Sequence, residues 1–388
     1  MKLLEKLIAM IILFLIACSS ADSKKNNHLP LKINTENLTS VLKEYRMQYD
    51  IPALVIGILT PDTIIIAADG IKDVLTKKDI NSSDQFHIGS CAKAMTTFMA
   101  ARLVEKRILS WDSRILEIFP EWEQKMLDYY KNKTIADLLS HRAGIQPFLH
   151  GIEFKDVPKY IFQGSKKEKR EKFAEWLLQR KPTIDKTKKY IYSNAGYTIA
   201  AVMCEKVTNK SWEELMQDEV FTPLNINGKF GWATDISSNQ PLGHIKPYEW
   251  GLSNSRDWRI LPDSLNYDCQ LLEPGGDISI SMYDYCIFLQ ENLKALIGKG
   301  SLLKQSTYRF LHYGREIYSM GWGNPYERGH HYLSHDGSAG TFYCRNLLCK
   351  EEKYGLAIFA NSGNDKTMKG ILKLSDTIMK TIENYLYE

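Results

Sequence analysis

The hydrophobic pattern predicts a β-hairpin early in the folded part of the chain. Two apolar runs, Ala53 to Leu59 and Thr63 to Ala68, are separated by Pro61-Asp62 and followed by Asp69-Gly70. Proline, aspartate and glycine favour turns, so the two runs are predicted to be strands joined by a tight connection.

Further along the chain the pattern becomes helical and then returns to strands. From about 110 to 270 it is rich in helices and loops, and strand-like runs reappear after 275. Strands at both ends with helices between them predict one α/β layer built from the two ends, a helical insertion, and a site in the crevice between the two. The predicted helices are Thr134 to Leu139, Lys172 to Gln179, Tyr197 to Val207 and Lys366 to Tyr385, and the predicted strands are Thr341 to Cys349 and Tyr354 to Ala360, joined by a turn at Lys350 to Lys353.

One predicted helix, from about Ser90 to Arg107, is apolar around its circumference over its first three turns. Such a helix is buried on most sides. It nevertheless carries one charge, Lys93, in its first turn, and a buried lysine is costly unless it has partners. This conflict between local chemistry and burial indicates a functional position.

The first residues have the pattern of an export signal. A short basic region precedes an apolar run, Leu7 to Ile16, that is too short to cross a bilayer of about 30 Å. The run leads into Ala17-Cys18, which resembles a bacterial lipobox. We therefore predict a signal peptide over 1–17, lipidation of Cys18 and a polar tether over 18–35. An ordinary signal peptide with an incidental cysteine is the alternative. The lipobox implies an exported bacterial lipoprotein, anchored to a membrane and either in the outer membrane or facing the periplasm.

Composition and charge argue against nucleic acid as a partner. The formal charge of +4 is small for 388 residues, and 44% of them are hydrophobic, which is enough for a full core. The basic run Ser165 to Lys172 is interrupted by two glutamates and is predicted to be a solvated helix. None of the cysteines after Cys18 has C-x-x-C spacing, and a core this large needs no staples, so most are predicted to be buried free thiols. They are Cys91, Cys204, Cys269, Cys286, Cys344 and Cys349.

Ser90-Cys-Ala-Lys93 is the first candidate for chemistry. The spacing puts a hydroxyl and an amine one helical turn apart, and a serine becomes a nucleophile when a base removes its proton. The pattern is weak alone, because Ser40 with Lys43 and Ser301 with Lys304 repeat it in ordinary amphipathic contexts. Only Ser90 opens an apolar helix.

Tyr192-Ser-Asn194 is the second candidate. Tyr192 can shuttle a proton, and Asn194 can orient Lys93 and the substrate. A second copy of the pattern, Tyr130-Lys-Asn132, shows that it is also weak alone. Around Asn194, however, a short apolar-polar run breaks at Asn-Ala-Gly into a helix, which places Asn194 at a bend.

His335-Asp-Gly-Ser338, entering a predicted strand, is the third candidate. The small residues from Gly337 onward let a substrate approach the backbone, and an N–H there, paired with that of Ser90, would make an oxyanion hole. His330, His331 and His335 suggest a metal cluster, but no H-E-x-x-H or carboxylate spacing supports zinc, so we expect no metal or other cofactor. His330 and His331 are predicted to be exposed hairpin residues. Ser140-His141 is interpreted as structural, and the chain has no G-x-S-x-G elbow.

The order of these three motifs resembles the superfamily of serine β-lactamases, penicillin-binding proteins and esterases, and its Y-x-N motif resembles the class C β-lactamase branch. The resemblance runs from about Leu38 to the end of the chain. Further segments match in order: Trp111-Asp112 through Trp122, Leu138 to Ile145, Pro274 to Asp277, Tyr318 to Trp322 and Ala360 to Ser362.

The resemblance implies a fold and a set of roles. The fold is α+β, an antiparallel sheet flanked by helices plus a helical subdomain, with one hydrolase domain over 36–388. Its α/β part would be about 36–89 and 275–388, and its helical part about 90–274. The implied roles are Ser90 as the acylated nucleophile, Lys93 as general base, Tyr192 in proton transfer, the Ser338 N–H in the oxyanion hole, and Asn194, His335 and Gly337 in substrate binding.

The third motif departs from the members that act on antibiotics. They carry Lys-Thr-Gly or Lys-Ser-Gly, whose charge and hydroxyl suit a substrate carboxylate, whereas this chain has His335-Asp336-Gly337. The resemblance then favours an esterase, or a peptidase or amidase acting on D-residues. A β-lactamase and a non-catalytic lipoprotein that binds penicillin or cell-wall fragments remain alternatives.

Overall fold

The computed structural model describes residues 34–149, 151–235, 237–261 and 270–387. The predicted signal peptide, the lipidation site Cys18, most of the tether and Cys269 lie outside these ranges. Among the helices within them, none is long and apolar enough to cross a membrane.

Strands from both ends of the chain form one antiparallel sheet. The strands are β1 (Ala53–Leu59), β2 (Ile64–Gly70), β3 (Gln85–His87), β4 (Lys229–Phe230), β5 (His244–Ile245), β6 (Arg259–Ile260), β7 (Ile278–Ser281), β8 (Tyr326–Glu327), β9 (His330–Ser338), β10 (Tyr343–Cys349) and β11 (Tyr354–Ala360). The main sheet has the order β2-β1-β11-β10-β9-β8, and small sheets pair β3-β7-β4 and β5-β6. The predicted hairpin is confirmed, since Ala53 pairs with Gly70 and Leu59 with Ile64.

Helices flank this sheet and fill the middle of the chain, so the predicted α+β fold is confirmed. The helices are α1 (Thr35–Gln48), α2 (Ala92–Glu105), α3 (Ile115–Ile118), α4 (Asp128–Lys131), α5 (Ile135–Leu139), α6 (Lys166–Leu177), α7 (Asn194–Thr208), α8 (Trp212–Met216), α9 (Thr222–Leu224), α10 (Glu273–Gly276), α11 (Met282–Leu296), α12 (Gln305–Tyr313) and α13 (Asp365–Tyr387). Turns of 3₁₀ helix occur at Gly89–Cys91, Pro120–Trp122, Gly151–Asp156, Lys159–Phe162, Ala233–Asp235 and Pro247–Trp250, and a π-helical turn at Gln217–Phe221.

The central strands of the sheet are buried on both faces. Along β1, Val55 packs into a large core shared with the helical part, whereas Leu54 and Ile56 pack into a second core under α1 and α13. Successive side chains of a strand point to opposite faces, so a strand between two cores is apolar throughout. The sheet therefore separates two apolar cores, and the helical part packs against one of its faces.

The basic run is not a solvated helix throughout, and on this point the sequence interpretation was wrong. Arg170 in α6 is fully buried. It lies one turn before Phe173 and Ala174 and shares their buried stripe, because residues three and four apart fall on one face of a helix. Its guanidinium bonds Glu205 and Glu213, at 2.6 to 2.9 Å, inside the helical part.

The interpretation of the hairpin histidines was half wrong. His331 is exposed, but His330 is 8% exposed. His330 lies two residues before the buried Tyr332 on β9, so both side chains point to the same face of the strand. The cysteine prediction is confirmed where it can be checked: the five cysteines in the described ranges are buried free thiols.

Candidate active site

Ser90 lies where the 3₁₀ turn Gly89–Cys91 leads into α2, against β9 of the main sheet. The turn begins after Ile88, whose N–H donates to the Ile278 carbonyl of β7. Gly89 has φ +50°, and a Cβ there would lie 2.6 Å from the Ser338 nitrogen, so only glycine fits. Ser90 itself is partly exposed, as a nucleophile must be.

Lys93 is fully buried one turn after Ser90. Its Nζ donates to the Ser90 Oγ at 3.1 Å and to the Asn194 Oδ1 at 2.7 Å, and a third bond goes to the Gly275 carbonyl of α10. Three neutral oxygens thus hold the amine beside the hydroxyl. This arrangement gives the lysine a fixed position relative to Ser90.

Asn194 is the first residue of α7, and Ser193 caps that helix by accepting the Gly196 N–H at 2.9 Å. The Asn194 side chain donates to the Phe148 carbonyl at 2.9 Å while its oxygen accepts from Lys93. Phe148 is a buried aromatic residue with φ +49°, a strained conformation for a side chain of this size. Strain of this kind collects at functional sites, where the surrounding structure enforces it.

The ring of Tyr192 packs against the Lys93 amine. The Lys93 Nζ lies 4.8 Å from the centre of its ring. Burial of the hydroxyl raises the pKa of Tyr192 well above its usual value, although the Ser90 side chain acts in the opposite direction. The phenol therefore carries its proton at neutral pH and is able to donate it.

The backbone of β9 contacts the Ser90 turn directly. A Cβ at Gly337 would lie 2.0 Å from the Ile88 carbonyl oxygen and 3.0 Å from the Ser90 nitrogen. A Cβ at Gly89 would likewise lie 2.6 Å from the Ser338 nitrogen, so the backbone segments that carry the Ser90 and Ser338 amides are in contact. Two backbone N–H groups at such a place suit a developing oxyanion.

His335 faces the site and Asp336 does not. The His335 Nδ1 donates to the Asp336 carbonyl at 2.7 Å, so in the neutral ring the Nε2, 3.0 Å from the Tyr318 hydroxyl, accepts from it. The Asp336 carboxylate is exposed and binds Arg345 of β10 at 2.8 and 2.9 Å. The negative charge of Asp336 is therefore paired with Arg345 rather than directed at the site.

Sequence reasoning missed an aromatic cluster behind the site. His141 is buried, with its ring centre 4.3 Å from that of Tyr192 and 4.7 Å from that of Tyr318, and its Nδ1 accepts the Ser193 N–H at 3.1 Å. Burial lowers the pKa of His141 well below its usual value, and the neighbouring Lys93 adds to this effect. The ring is a neutral support for Tyr192, which agrees with its structural interpretation.

The missed residues left signals in the sequence. His141, which was interpreted as structural, and Tyr318 both fall in segments that match the superfamily in order. Arg142 joins the two segments, because its guanidinium donates to the Tyr318 and Glu316 carbonyls at 2.9 Å. Gly275 contributes only a carbonyl oxygen, which no side-chain pattern can reveal.

The competing copies of the first motif lie elsewhere. The Ser40 Oγ donates to the Glu36 carbonyl of its own helix, and the Ser301 Oγ donates to Glu291. The structure brings together the seven predicted site residues within the described ranges and leaves both copies out. They are Ser90, Lys93, Tyr192, Asn194, His335, Gly337 and Ser338.

In the described part of the chain, one group of side chains has the composition of a metal site, and it is not this one. His330, Cys349 and Glu351 bring their potential ligand atoms within 4.8 Å of one another at the far end of β9. His330 lies five residues from His335, or about 16 Å along an extended strand.

The Beta-lactamase family model matches residues 38–373, which is most of the chain. The chain belongs to this family. Its members include penicillin-binding proteins and β-lactamases, and the family's serine hydrolases use the fold described above. The recognition made from the three motifs is therefore confirmed.

Individual relatives in the family are distant. The chain is 22% identical over 347 residues to unguisins hydrolase ungD of Aspergillus violaceofuscus, covering 81% of this chain but 59% of the relative. It is 22% identical to penicillin-binding protein 4* of Bacillus subtilis, covering 80% of this chain and 68% of that one. Among solved structures, the D-amino acid amidase of Ochrobactrum anthropi SV3 superposes with a TM-score of 0.72 at 16% identity, over 90% of this chain and 98% of the amidase. At this identity the superposition shows a shared fold.

Proposed function

We propose that this protein is a serine hydrolase that forms an acyl-enzyme on Ser90 and cleaves an ester or amide. The observation that supports the proposal most directly is the 3.1 Å hydrogen bond between the buried Lys93 Nζ and the Ser90 Oγ. A hydroxyl with an adjacent amine, which other groups hold in place, is the arrangement of an activated nucleophile.

In the proposed reaction Ser90 gives its proton to Lys93 in its neutral form as its Oγ attacks the substrate carbonyl. The oxyanion that forms is stabilised by the Ser90 and Ser338 amides. Tyr192 then protonates the leaving alcohol or amine and recovers a proton from Lys93. The raised pKa of Tyr192 supports this order, since the phenol enters the cycle protonated.

The second half of the reaction repeats these steps with water. Water attacks the acyl carbonyl, its proton passes to the Tyr192 and Lys93 pair, and Ser90 leaves as the hydroxyl. Asn194 and the Gly275 carbonyl keep the Lys93 amine in place throughout. The carboxylic acid product then departs, and the starting state returns.

We propose a small ester or the amide or peptide of a D-amino acid, a chemistry related to cell-wall peptides, as the substrate. At the third motif the His335 Nδ1 donates to a carbonyl and its Nε2 lies 3.0 Å from the Tyr318 hydroxyl, where antibiotic-acting members have a lysine for a substrate carboxylate. The D-amino acid amidase with the same fold supports the amide class by analogy. We also propose, from residues 1–18, that the protein is an exported, lipid-anchored bacterial protein.

The proposal is tested by offering the protein three substrates: a short-chain p-nitrophenyl ester, a D-alanyl amide and a chromogenic cephalosporin. We expect turnover of the ester or the amide, and a loss of at least about 10³-fold in kcat/KM for Ser90→Ala. Ser40→Ala is the matched control, because its hydroxyl bonds within its own helix, and we expect it to keep full activity.

Each other outcome changes the conclusion. Fast cephalosporin turnover would make the protein a β-lactamase and overturn the assignment of substrate. Ester turnover that survives in Ser90→Ala would overturn the nucleophile. If nothing turns over and a fluorophosphonate probe fails to label Ser90, the protein is a binding protein without catalysis.

A further inference from the structure

The far end of the β9–β10 hairpin holds a group of side chains that the proposed reaction does not use. His330 opens β9, Cys349 closes β10, and Glu351 follows in the connecting turn. Cys349 pairs with Tyr332, and the Lys350 N–H donates to the His331 carbonyl, so the register places Glu351 opposite His330. Residues opposite each other on paired strands have neighbouring side chains.

The ligand atoms of the three residues lie within 4.8 Å of one another. The His330 Nδ1 is buried and has no hydrogen-bond partner, although its residue is 8% exposed and the nearest carboxylate oxygen, on Glu352, lies 3.9 Å away. A buried ring nitrogen with no bond is unusual and calls for an explanation. Cys349 is fully buried, whereas Glu351 is exposed; its carboxylate accepts the His331 N–H at 2.8 Å and lies 2.8 Å from the His331 Nδ1.

We propose that His330, Cys349 and Glu351 form a binding site for a zinc-like divalent cation. Nitrogen, thiolate and carboxylate are the ligands that Zn²⁺ takes in proteins, at about 2.0 to 2.3 Å. Ligand atoms around a tetrahedral zinc are about 3.5 Å apart, so the three side chains close by about one ångström or less, and Glu351 shares its carboxylate with His331 or exchanges that bond for the metal. On binding, the Cys349 thiol releases its proton to water and its sulfur becomes the thiolate ligand.

The surrounding charges favour a cation. Glu352 lies beside His330, and Glu383 of α13 accepts hydrogen bonds from Tyr332 and Tyr354 at 2.9 and 3.1 Å. Arg328, 3.9 Å from Glu383, compensates only part of this negative charge. A divalent cation offsets this negative charge.

The site would tie the end of the hairpin to its turn, remote from Ser90. It is therefore independent of the proposed hydrolase function, and its test needs no substrate. The probe is Co²⁺ alone, added to the chelator-treated full chain, because a cobalt–thiolate bond produces a charge-transfer absorption band that Zn²⁺ abolishes by competition.

We expect the wild type to show this band, and Cys349→Ser to lose it. Cys204→Ser, which removes a buried thiol in α7, is the matched control and keeps the band. His330→Gln and the exposed Glu351→Gln bind Co²⁺ at least about 10-fold more weakly, and the second variant keeps the test decisive if a buried substitution fails to fold. A wild type without the band, a band that survives in Cys349→Ser, or unchanged affinity in folded Glu351→Gln would each overturn the proposal.

Discussion

Lys93 and Arg170 are both fully buried basic side chains, and the groups around them differ in kind. Lys93 is held by neutral oxygens on Ser90, Asn194 and Gly275. Arg170 is surrounded by the carboxylates of Glu205 and Glu213, and its Nη1 lies 3.5 Å from a third, on Glu273.

The different partners suit Lys93 to proton transfer and Arg170 to holding the fold together. A carboxylate partner stabilises the charged form of a cation, and three of them hold Arg170 permanently charged. Neutral oxygens bind an ammonium and tolerate an amine, so they allow Lys93 to exchange a proton with Ser90. The two regions are also joined, because α10 carries both Glu273 and the Gly275 carbonyl.

The largest effect that the comparison predicts is the loss of activity when Lys93 is replaced. Lys93→Met keeps the length of the side chain and removes the amine, so we expect kcat/KM on the ester or amide substrate to fall about 10³-fold. Stability changes by about 1 kcal/mol, because the partners that Lys93 loses include neutral oxygens and the Tyr192 and Tyr197 rings, while a desolvated amine disappears. Steady-state kinetics and urea unfolding on the same sample check both parts, and a folded variant with wild-type kinetics would refute the role of Lys93.

Replacing Arg170 is predicted to have its main effect on stability instead of activity. Arg170→Met leaves Glu205 and Glu273 buried, and Glu213 partly buried, without their counter-ion, and we expect the free energy of unfolding to fall by about 3–5 kcal/mol. Lys169→Met, at the preceding position of α6, is the control and should cost about 0.5 kcal/mol or less. Urea unfolding measures both. Equal stability of the two variants would show that the carboxylates do not depend on Arg170.

The sequence predicted the role of Lys93 but not the burial of Arg170, because the residues around the two basic side chains differ. Lys93 was predictable, since a single charge opens an apolar helix three residues after a serine. Arg170 was not recognised because its neighbours in sequence are charged, although Phe173 and Ala174 extend a buried stripe back to it. The sheet followed from apolar runs and turns, whereas the Gly275 carbonyl and the strained Phe148 are backbone features that only the folded chain defines.

The third prediction concerns pH and the junction between the regions. Burial raises the pKa of Glu273 to about 7 from its usual 4.5, although Arg170 acts in the opposite direction. The folded state therefore keeps a proton that the unfolded state releases, and this carboxyl lowers stability as pH rises from about 4.5 to 7. Between pH 5 and pH 8 we expect Glu273→Gln to gain about 2–3 kcal/mol relative to wild type. Urea unfolding at the two pH values checks this, and a constant difference would contradict it.

The smallest effect on activity is expected from Tyr318, whose hydroxyl bonds His335 at the border of the site. Tyr318→Phe removes the hydroxyl 3.0 Å from the His335 Nε2 and leaves that buried nitrogen without this partner. A lost neutral hydrogen bond costs about 1 kcal/mol, so kcat/KM should fall about 3- to 10-fold. If His335 binds substrate, the change lies mainly in KM.

Tyr190→Phe separates this effect from a general loosening of the aromatic cluster. The Tyr190 ring packs 5.4 Å from that of Tyr318, so its substitution by phenylalanine tests packing without touching the bond to His335. We expect its KM to equal that of the wild type. A loss in kcat without a change in KM for Tyr318→Phe would instead place Tyr318 with Tyr192 and Lys93 as part of the proton path. The neutral groups around Lys93 would then help to move its proton as well as hold its amine in place.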